Sequence, residues 1–136
     1  MHYEWDETLE TGNAEIDAQH KQLIAALNDL VDAREQGKGP QEIMRTLDFL
    51  SSYVVRHFND EEAIQKKYDY PDYYRHRMYH EEFKKAVQNL VREINEKGPR
   101  EELVLKTINT VAGWLINHIK GDDFKLAAYI TSRRKE

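Results

Sequence analysis

His57-Phe58-Asn59-Asp60-Glu61-Glu62 is the stretch that decides the fold, because of the rhythm running through it. Ile43, Leu47, Leu50, Val54, His57, Glu61, Ile64 and Tyr68 recur at alternating spacings of four and three, which marks one inward stripe of an α-helix. All members but two keep the apolar rhythm. The exceptions are an imidazole and a carboxylate one helical turn apart, facing the same way. Neither belongs in a core unpaired, since desolvating a polar or charged group without a partner is costly. A metal ion is the simplest partner for both.

The same period extends to either side. Residues from about 15 to 36 put Ile16, His20, Leu23, Leu27, Leu30 and Val31 on one stripe, and Gly37 is placed to end that helix. Gly39-Pro40 opens a second helix that runs to about Lys67, proline being tolerated in a first turn. Tyr68-Asp69-Tyr70-Pro71-Asp72 is a short connection that implies antiparallel neighbours, with Pro71 blocking continuation and Asp72 set to cap the next helix. The third helix aligns Tyr73, His76, His80, Phe83, Val87, Leu90 and Ile94 before Gly98-Pro99 stops it. The fourth, from about Arg100, buries Val104, Thr107 or Ile108, Val111, Trp114 or Leu115, and His118, and a last amphipathic piece carries Phe124, Leu126, Ala127 and Ile130. The expected fold is therefore all-α, an antiparallel up-down-up-down four-helix bundle with an extended N-terminal arm and a short C-terminal helix. One domain is expected over 1–136: an arm over 1–14 anchored by Trp5, a bundle over 15–131 and a basic tail over 132–136. His2, in the arm, is read as solvated.

Two features of the fourth helix need explanation. Gly113 in a helix interior costs about 1 kcal/mol against alanine, which implies close approach of a neighbouring helix or a need for space near Trp114. Asp123 lies five residues beyond His118, and about 100° per residue puts the two on different faces of a continuous helix. They converge only if the helix bends or ends between them, and Gly121 is expected to supply the break. Asp122 beside Asp123 leaves a one-residue alternative in register.

Composition narrows the function classes. Charged residues are 33% and hydrophobic residues 40%, with a net charge of -5 and no long basic block, which suits a soluble domain and argues against nucleic acid as partner. The absence of cysteine removes disulfides, thiolate zinc sites and cysteine-ligated iron-sulfur clusters, so any metal must use nitrogen and oxygen. No apolar run is long enough for a signal or a membrane span, so the cytoplasm is expected and a membrane partner is not. The heptad stripes are all used internally, and a monomer is the expected state.

Collected, the inward polar residues are His20, His57, Glu61, His76, His80, His118 and Asp123, which include five of the six histidines. Every helix contributes. Two six-coordinate metals offer about twelve positions. Five imidazoles, two carboxylates if each bridges, and one bridging oxygen would fill about eleven, leaving one for a small ligand. Nitrogen-rich ligation of this kind suits iron and differs from the carboxylate-rich Glu-x-x-His sites of ferritin-like proteins.

Along nearly its whole length the chain resembles the bacterial hemerythrins. The matching motifs are Ile16-Asp17-Ala18-Gln19-His20, His57-Phe58 with Glu61-Glu62, Tyr70-Pro71 with His76 and His80, and His118-Ile119 with Asp123. The resemblance implies reversible dioxygen binding, for storage, delivery or transport, at two non-haem iron ions (Fe2+/Fe3+) joined by an oxo or hydroxo bridge. It implies His76, His80 and His118 on one iron, His20 and His57 on the other, Glu61 and Asp123 as bridges, and the open position on the two-histidine iron. It implies no catalytic residues. Leu23, Phe58, Trp114, Leu115 and Ile119 are nominated by helical spacing as an apolar ligand pocket, and Tyr68, Tyr70, Tyr73, Tyr74 and Tyr79 are expected to pack at interfaces rather than carry redox chemistry. Two alternatives stand beside the oxygen-binding reading: a di-iron enzyme reducing peroxide or nitric oxide, and an oxygen or redox sensor module. An oxygen-consuming partner protein is compatible with the carrier reading but is not identified by the sequence.

Overall fold

A computed structural model describes residues 3–134. Among them a 3-10 turn (Glu7–Leu9) precedes α1 (Ala14–Glu35), α2 (Gly39–Lys67), α3 (Tyr73–Lys97) and α4 (Glu101–His118), and a π-helical turn (Ile119–Asp123) leads into α5 (Phe124–Arg134). His2 and the Lys135-Glu136 end of the expected tail lie outside the described residues. Helix α1 packs on α2 and α4, and α3 packs on the same two, which closes an all-α four-helix ring.

Each helix begins and ends where local chemistry allows it. The Asn13 side chain accepts the Ile16 N–H at the start of α1, satisfying one of its free donors. Gly37 and Gly98 take φ of +73° and +86° just beyond α1 and α3, a left-handed conformation that a side chain would strain. Asp72 occupies the cap position of α3, but its carboxylate makes no capping bond, contrary to the sequence expectation. Gly39 is needed for another reason: a Cβ there would lie 2.9 Å from Val104 Cγ1, so the start of α2 rests directly on α4.

The core is the set of inward stripes. Leu23, Leu27, Leu30, Ile43, Leu47, Leu50, Val87, Leu90, Val104, Ile108 and Val111 form one apolar cluster, and Ile16, Tyr70, Leu126 and Ile130 form a smaller one at the other end. The stripe of α2 departs from expectation in its last turns. Ile64 and Tyr68 are half-buried, and Gln65 is the residue fully inside. The arm is tied down by Tyr3 and Asn28, whose backbone and amide exchange hydrogen bonds of 2.8 and 2.9 Å. Trp5 packs against the main cluster and Leu9 enters it.

Two expectations for the fourth helix are corrected. No break occurs at Gly121: the chain stays helical from Glu101 to Arg134, and the change is one of pitch. A π-turn closes i→i+5 hydrogen bonds, so residues five apart come to face the same way. That brings Asp123 under His118 without ending the helix, and α5 runs on to Arg134, so the first basic residues of the expected tail lie at a helix end. No neighbouring helix approaches Gly113, since a Cβ there would meet nothing beyond its chain neighbours and its own helix backbone within 4 Å.

Candidate metal centre

The seven polar residues of the inward stripes meet in one place. His20 (α1), His57 and Glu61 (α2), His76 and His80 (α3), His118 (α4) and Asp123 (the π-turn) are all buried, Glu61, His20, His80 and Asp123 completely. Their donor atoms fall into two groups, each within 4.8 Å: Glu61, His76, His80 and His118, and His20, His57, Glu61 and Asp123. Every imidazole presents Nε2 to the carboxylates.

Each carboxylate divides its oxygens between the groups. Glu61 Oε1 lies 2.8 Å from His57 Nε2 and 3.7 Å from His20 Nε2, while Oε2 lies 3.1 Å from His80 and 3.3 Å from His76. Asp123 Oδ2 is 2.6 Å from His20 Nε2, and Oδ1 is 3.1 Å from both His76 and His118. Short as these separations are, His20 Nε2, His57 Nε2, Glu61 Oε1 and both Asp123 oxygens lack a hydrogen-bond partner among the described residues. Atoms so close yet off the angles of a hydrogen bond converge on shared points rather than on one another. Cations at those points would satisfy them, and the nitrogen and oxygen donor set fits a pair of such ions.

Without metal, protons take part of that role. Burial alone would push the imidazoles down, but the Asp123 and Glu61 carboxylates outweigh it and hold His20 and His76 each up to about 9. His118 is raised well above its ordinary value, again against burial, chiefly by the Asp123 charge. Burial would raise Glu61 and Asp123. The surrounding imidazoles nevertheless keep both carboxyls below the usual carboxylate range.

Three of the five outward nitrogens, those of His57, His76 and His80, have hydrogen-bond partners. His57 Nδ1 meets Gln19 Oε1 at 2.5 Å, and the Gln19 amide in turn donates to Asp60 at 3.0 Å. His80 Nδ1 meets Glu62 Oε2 at 3.0 Å, and His118 Nδ1 lies 3.6 Å from Asp122 Oδ2. His76 Nδ1 is 3.0 Å from the amide nitrogen Nε2 of Gln65, and Gln65 Oε1 has no hydrogen-bond partner among the described residues. These outer residues were not assigned roles from the sequence. Gln65 had a signal, four residues beyond Glu61 on the inward stripe, but apolar Ile64 beside it took the place. The register question at 122 and 123 resolves in geometry: Asp123 is inside and Asp122 is partly exposed, behind His118.

Of the nominated pocket residues, Leu23, Phe58, Leu115 and Ile119 are buried in the main cluster and Trp114 is half-buried. Phe58 stacks on His80 with ring centroids 3.8 Å apart, and Trp114 stacks on His118 at 4.5 Å. The two aromatics therefore lie against the three-histidine group, although Phe58 also reaches His57 at 5.6 Å. Of the tyrosines, Tyr70 packs toward His76, whereas Tyr74 is 77% exposed with its ring against Tyr73 at 5.2 Å.

A helical bundle with a buried di-metal-binding site is the class that fold and geometry define. A family model described as "Hemerythrin HHE cation binding domain" matches residues 11–130, and the chain belongs to the hemerythrin family. It is 32% identical to a myohemerythrin of Theromyzon tessulatum, over 90% of this chain and 89% of the relative. It is 31% identical to a bacteriohemerythrin of Pseudomonas aeruginosa (strain UCBPP-PA14), over 98% and 82% respectively. A hemerythrin-like protein of Naegleria gruberi is 34% identical, over 90% and 89%. The buried site is consistent with the reversible dioxygen binding typical of hemerythrins, which are non-enzymatic oxygen carriers. No helix among the described residues is long and apolar enough to cross a membrane.

Proposed function

We propose that the seven side chains hold two iron ions and that the loaded protein binds dioxygen reversibly, for storage, delivery or transport. His76, His80 and His118 would hold one iron and His20 and His57 the other, with Glu61 and Asp123 each offering one oxygen to either side. The single observation that carries this reading is the division of each carboxylate's two oxygens between the two imidazole groups. Five imidazoles to two carboxylates, without thiolate, support iron as the metal these residues would hold, with an oxo or hydroxo group as the expected accompanying ligand. When bound, the iron pair supplies electrons to dioxygen and recovers them on release.

The chain's own residues do the rest. Gln19 and Glu62 accept the Nδ1–H of His57 and His80, which fixes those rings with Nε2 inward, and the Gln65 amide lies against His76 Nδ1. Leu23, Phe58, Leu115 and Ile119, with Trp114 at the rim, keep water and its protons away, which favours reversible binding over irreversible oxidation. A single domain acting as a cytoplasmic monomer, with dioxygen as its ligand and an oxygen-consuming protein as recipient, fits this role. The test is reconstitution with ferrous iron without air, followed by iron analysis and gas measurement. Two irons per chain, with one dioxygen taken up per pair and recovered under argon, are expected. Oxygen consumed without recovery would put a peroxide- or nitric-oxide-reducing enzyme ahead.

A further inference from the structure

The two halves of the site differ in what stands behind their imidazoles. From this we infer that the centre fills stepwise: the position of His76, His80 and His118 takes its metal first, and the position of His20 and His57 fills second and exchanges readily. The inference rests on the di-metal reading above.

Behind the first group stand two carboxylates. Glu62 accepts from His80 Nδ1 at 3.0 Å; Asp122 lies 3.6 Å from His118 Nδ1, beyond hydrogen-bond distance, and acts on that ring through its charge alone; His76 has the buried Gln65 amide. Behind the second group no carboxylate among the described residues stands in direct contact. His57 has the neutral Gln19 amide, with Asp60 one residue further out, and His20 Nδ1 has no partner among the described residues. A metal on Nε2 draws charge from the ring and makes Nδ1–H a stronger donor. A carboxylate accepting that hydrogen stabilises the charge and strengthens the ligand; an amide does so less, and a buried N–H without an acceptor not at all.

Two further differences act in the same direction. The first position has three imidazoles and the second two. Glu61 and Asp123 also serve both positions with one oxygen each, so the first divalent ion neutralises the charge that would attract the second. Outer hydrogen-bond partners of metal ligands are each worth roughly 10–100-fold in affinity. The two stepwise dissociation constants should therefore differ by at least about tenfold beyond the statistical factor. Gln19 becomes the residue that keeps the second position weak, through its amide on His57.

The test is an anaerobic titration of the metal-free protein with ferrous iron, counting metals per chain by native mass spectrometry. At one equivalent, one-metal chains should exceed what two equal and independent positions would give. His20→Ala should keep the first step and lose the second. Gln19→Glu combined with Asp60→Asn, which lets the amide at 60 donate to a carboxylate at 19, should tighten the second step by about tenfold and leave the first unchanged. Gln19→Leu should weaken the second step alone, and Glu62→Gln the first alone, with thermal melts confirming that each variant folds. Chains carrying only zero or two metals at one equivalent would overturn the inference, as would a first step that moves with residue 19. Failure of the underlying reading looks different: the wild-type protein would then retain no metal at either step.

Discussion

Replacing Asp123 with alanine removes the carboxylate that the π-turn delivers to the centre, and its consequences are separable with and without metal. In the metal-free protein at pH 6.5, Asp123 is fully buried, with His20 Nε2 at 2.6 Å and His76 and His118 Nε2 at 3.1 Å. His20 and His76, held up to about 9, carry protons at that pH. Removing their counter-ion leaves buried charge uncompensated, a loss of about 3–5 kcal/mol. For a chain of 136 residues this corresponds to a fall in melting temperature of roughly 10–17 °C. Asp122→Ala removes a partly exposed carboxylate 3.6 Å from a single ring nitrogen, and about 1 kcal/mol or less is expected. The Asp123→Ala penalty should shrink as pH rises through about 9, because the imidazoles lose their protons and the wild-type carboxylate becomes the uncompensated charge. After iron loading, Asp123→Ala should lose iron while Asp122→Ala keeps it. The assay is a melt followed by circular dichroism in chelator at several pH values, with iron analysis of loaded samples. Equal melting temperatures and equal iron contents in the two variants would refute the assignment of Asp123 as the inward residue.

Other consequences are accessible to the same methods. Because the folded-state values of His20 and His76 are raised from 6.5 to about 9, their contribution to metal-free stability is complete below about pH 6.5 and is lost as pH rises through about 9. Glu61 and Asp123, held below the ordinary carboxylate range, contribute stability that is lost as the solution is acidified through their folded-state values, so the melting temperature in chelator should peak on the mildly acidic side of neutrality. Metal-loaded protein should behave differently, retaining iron at alkaline pH and releasing it in acid as protons compete for the imidazoles; full occupancy at about pH 3 would contradict histidine ligation. Gly113→Ala should raise stability by about 1 kcal/mol, since the added methyl meets nothing within 4 Å, and a lower melting temperature would show that the glycine has a packing role after all. Gly39→Ala should lower stability by about 1–3 kcal/mol, because its methyl would lie 2.9 Å from Val104 Cγ1.

Most of the bundle could be read from periodicity because its helices bury one face each, and burial imposes the four-three rhythm on the residues that face inward. His57 and Glu61 stood out against that rhythm, and so did His20, His76, His80 and His118. The fourth helix was harder for a physical reason. A helical wheel assumes constant pitch, and the π-turn at Ile119–Asp123 changes the pitch where His118 and Asp123 must align. Gly121 then looked like a break, though the helix runs through it. Outer partners were hidden for another reason: Gln19, Glu62 and Asp122 lie beside the inward stripes, where polar residues are ordinary, and only three-dimensional proximity ties them to particular ring nitrogens. Gly113 invited the explanation of a closely approaching helix, and none lies within 4 Å of where its Cβ would stand.

The most direct test of reversible oxygen binding is optical. The metal-free protein is loaded with ferrous iron under argon, its visible spectrum is recorded, oxygen is admitted, and the gas is then removed. A charge-transfer band that rises with oxygen and disappears under argon, over repeated cycles at two irons per chain, is the expected result. A spectrum that moves once to a stable oxidised form and does not return on removing oxygen would contradict it.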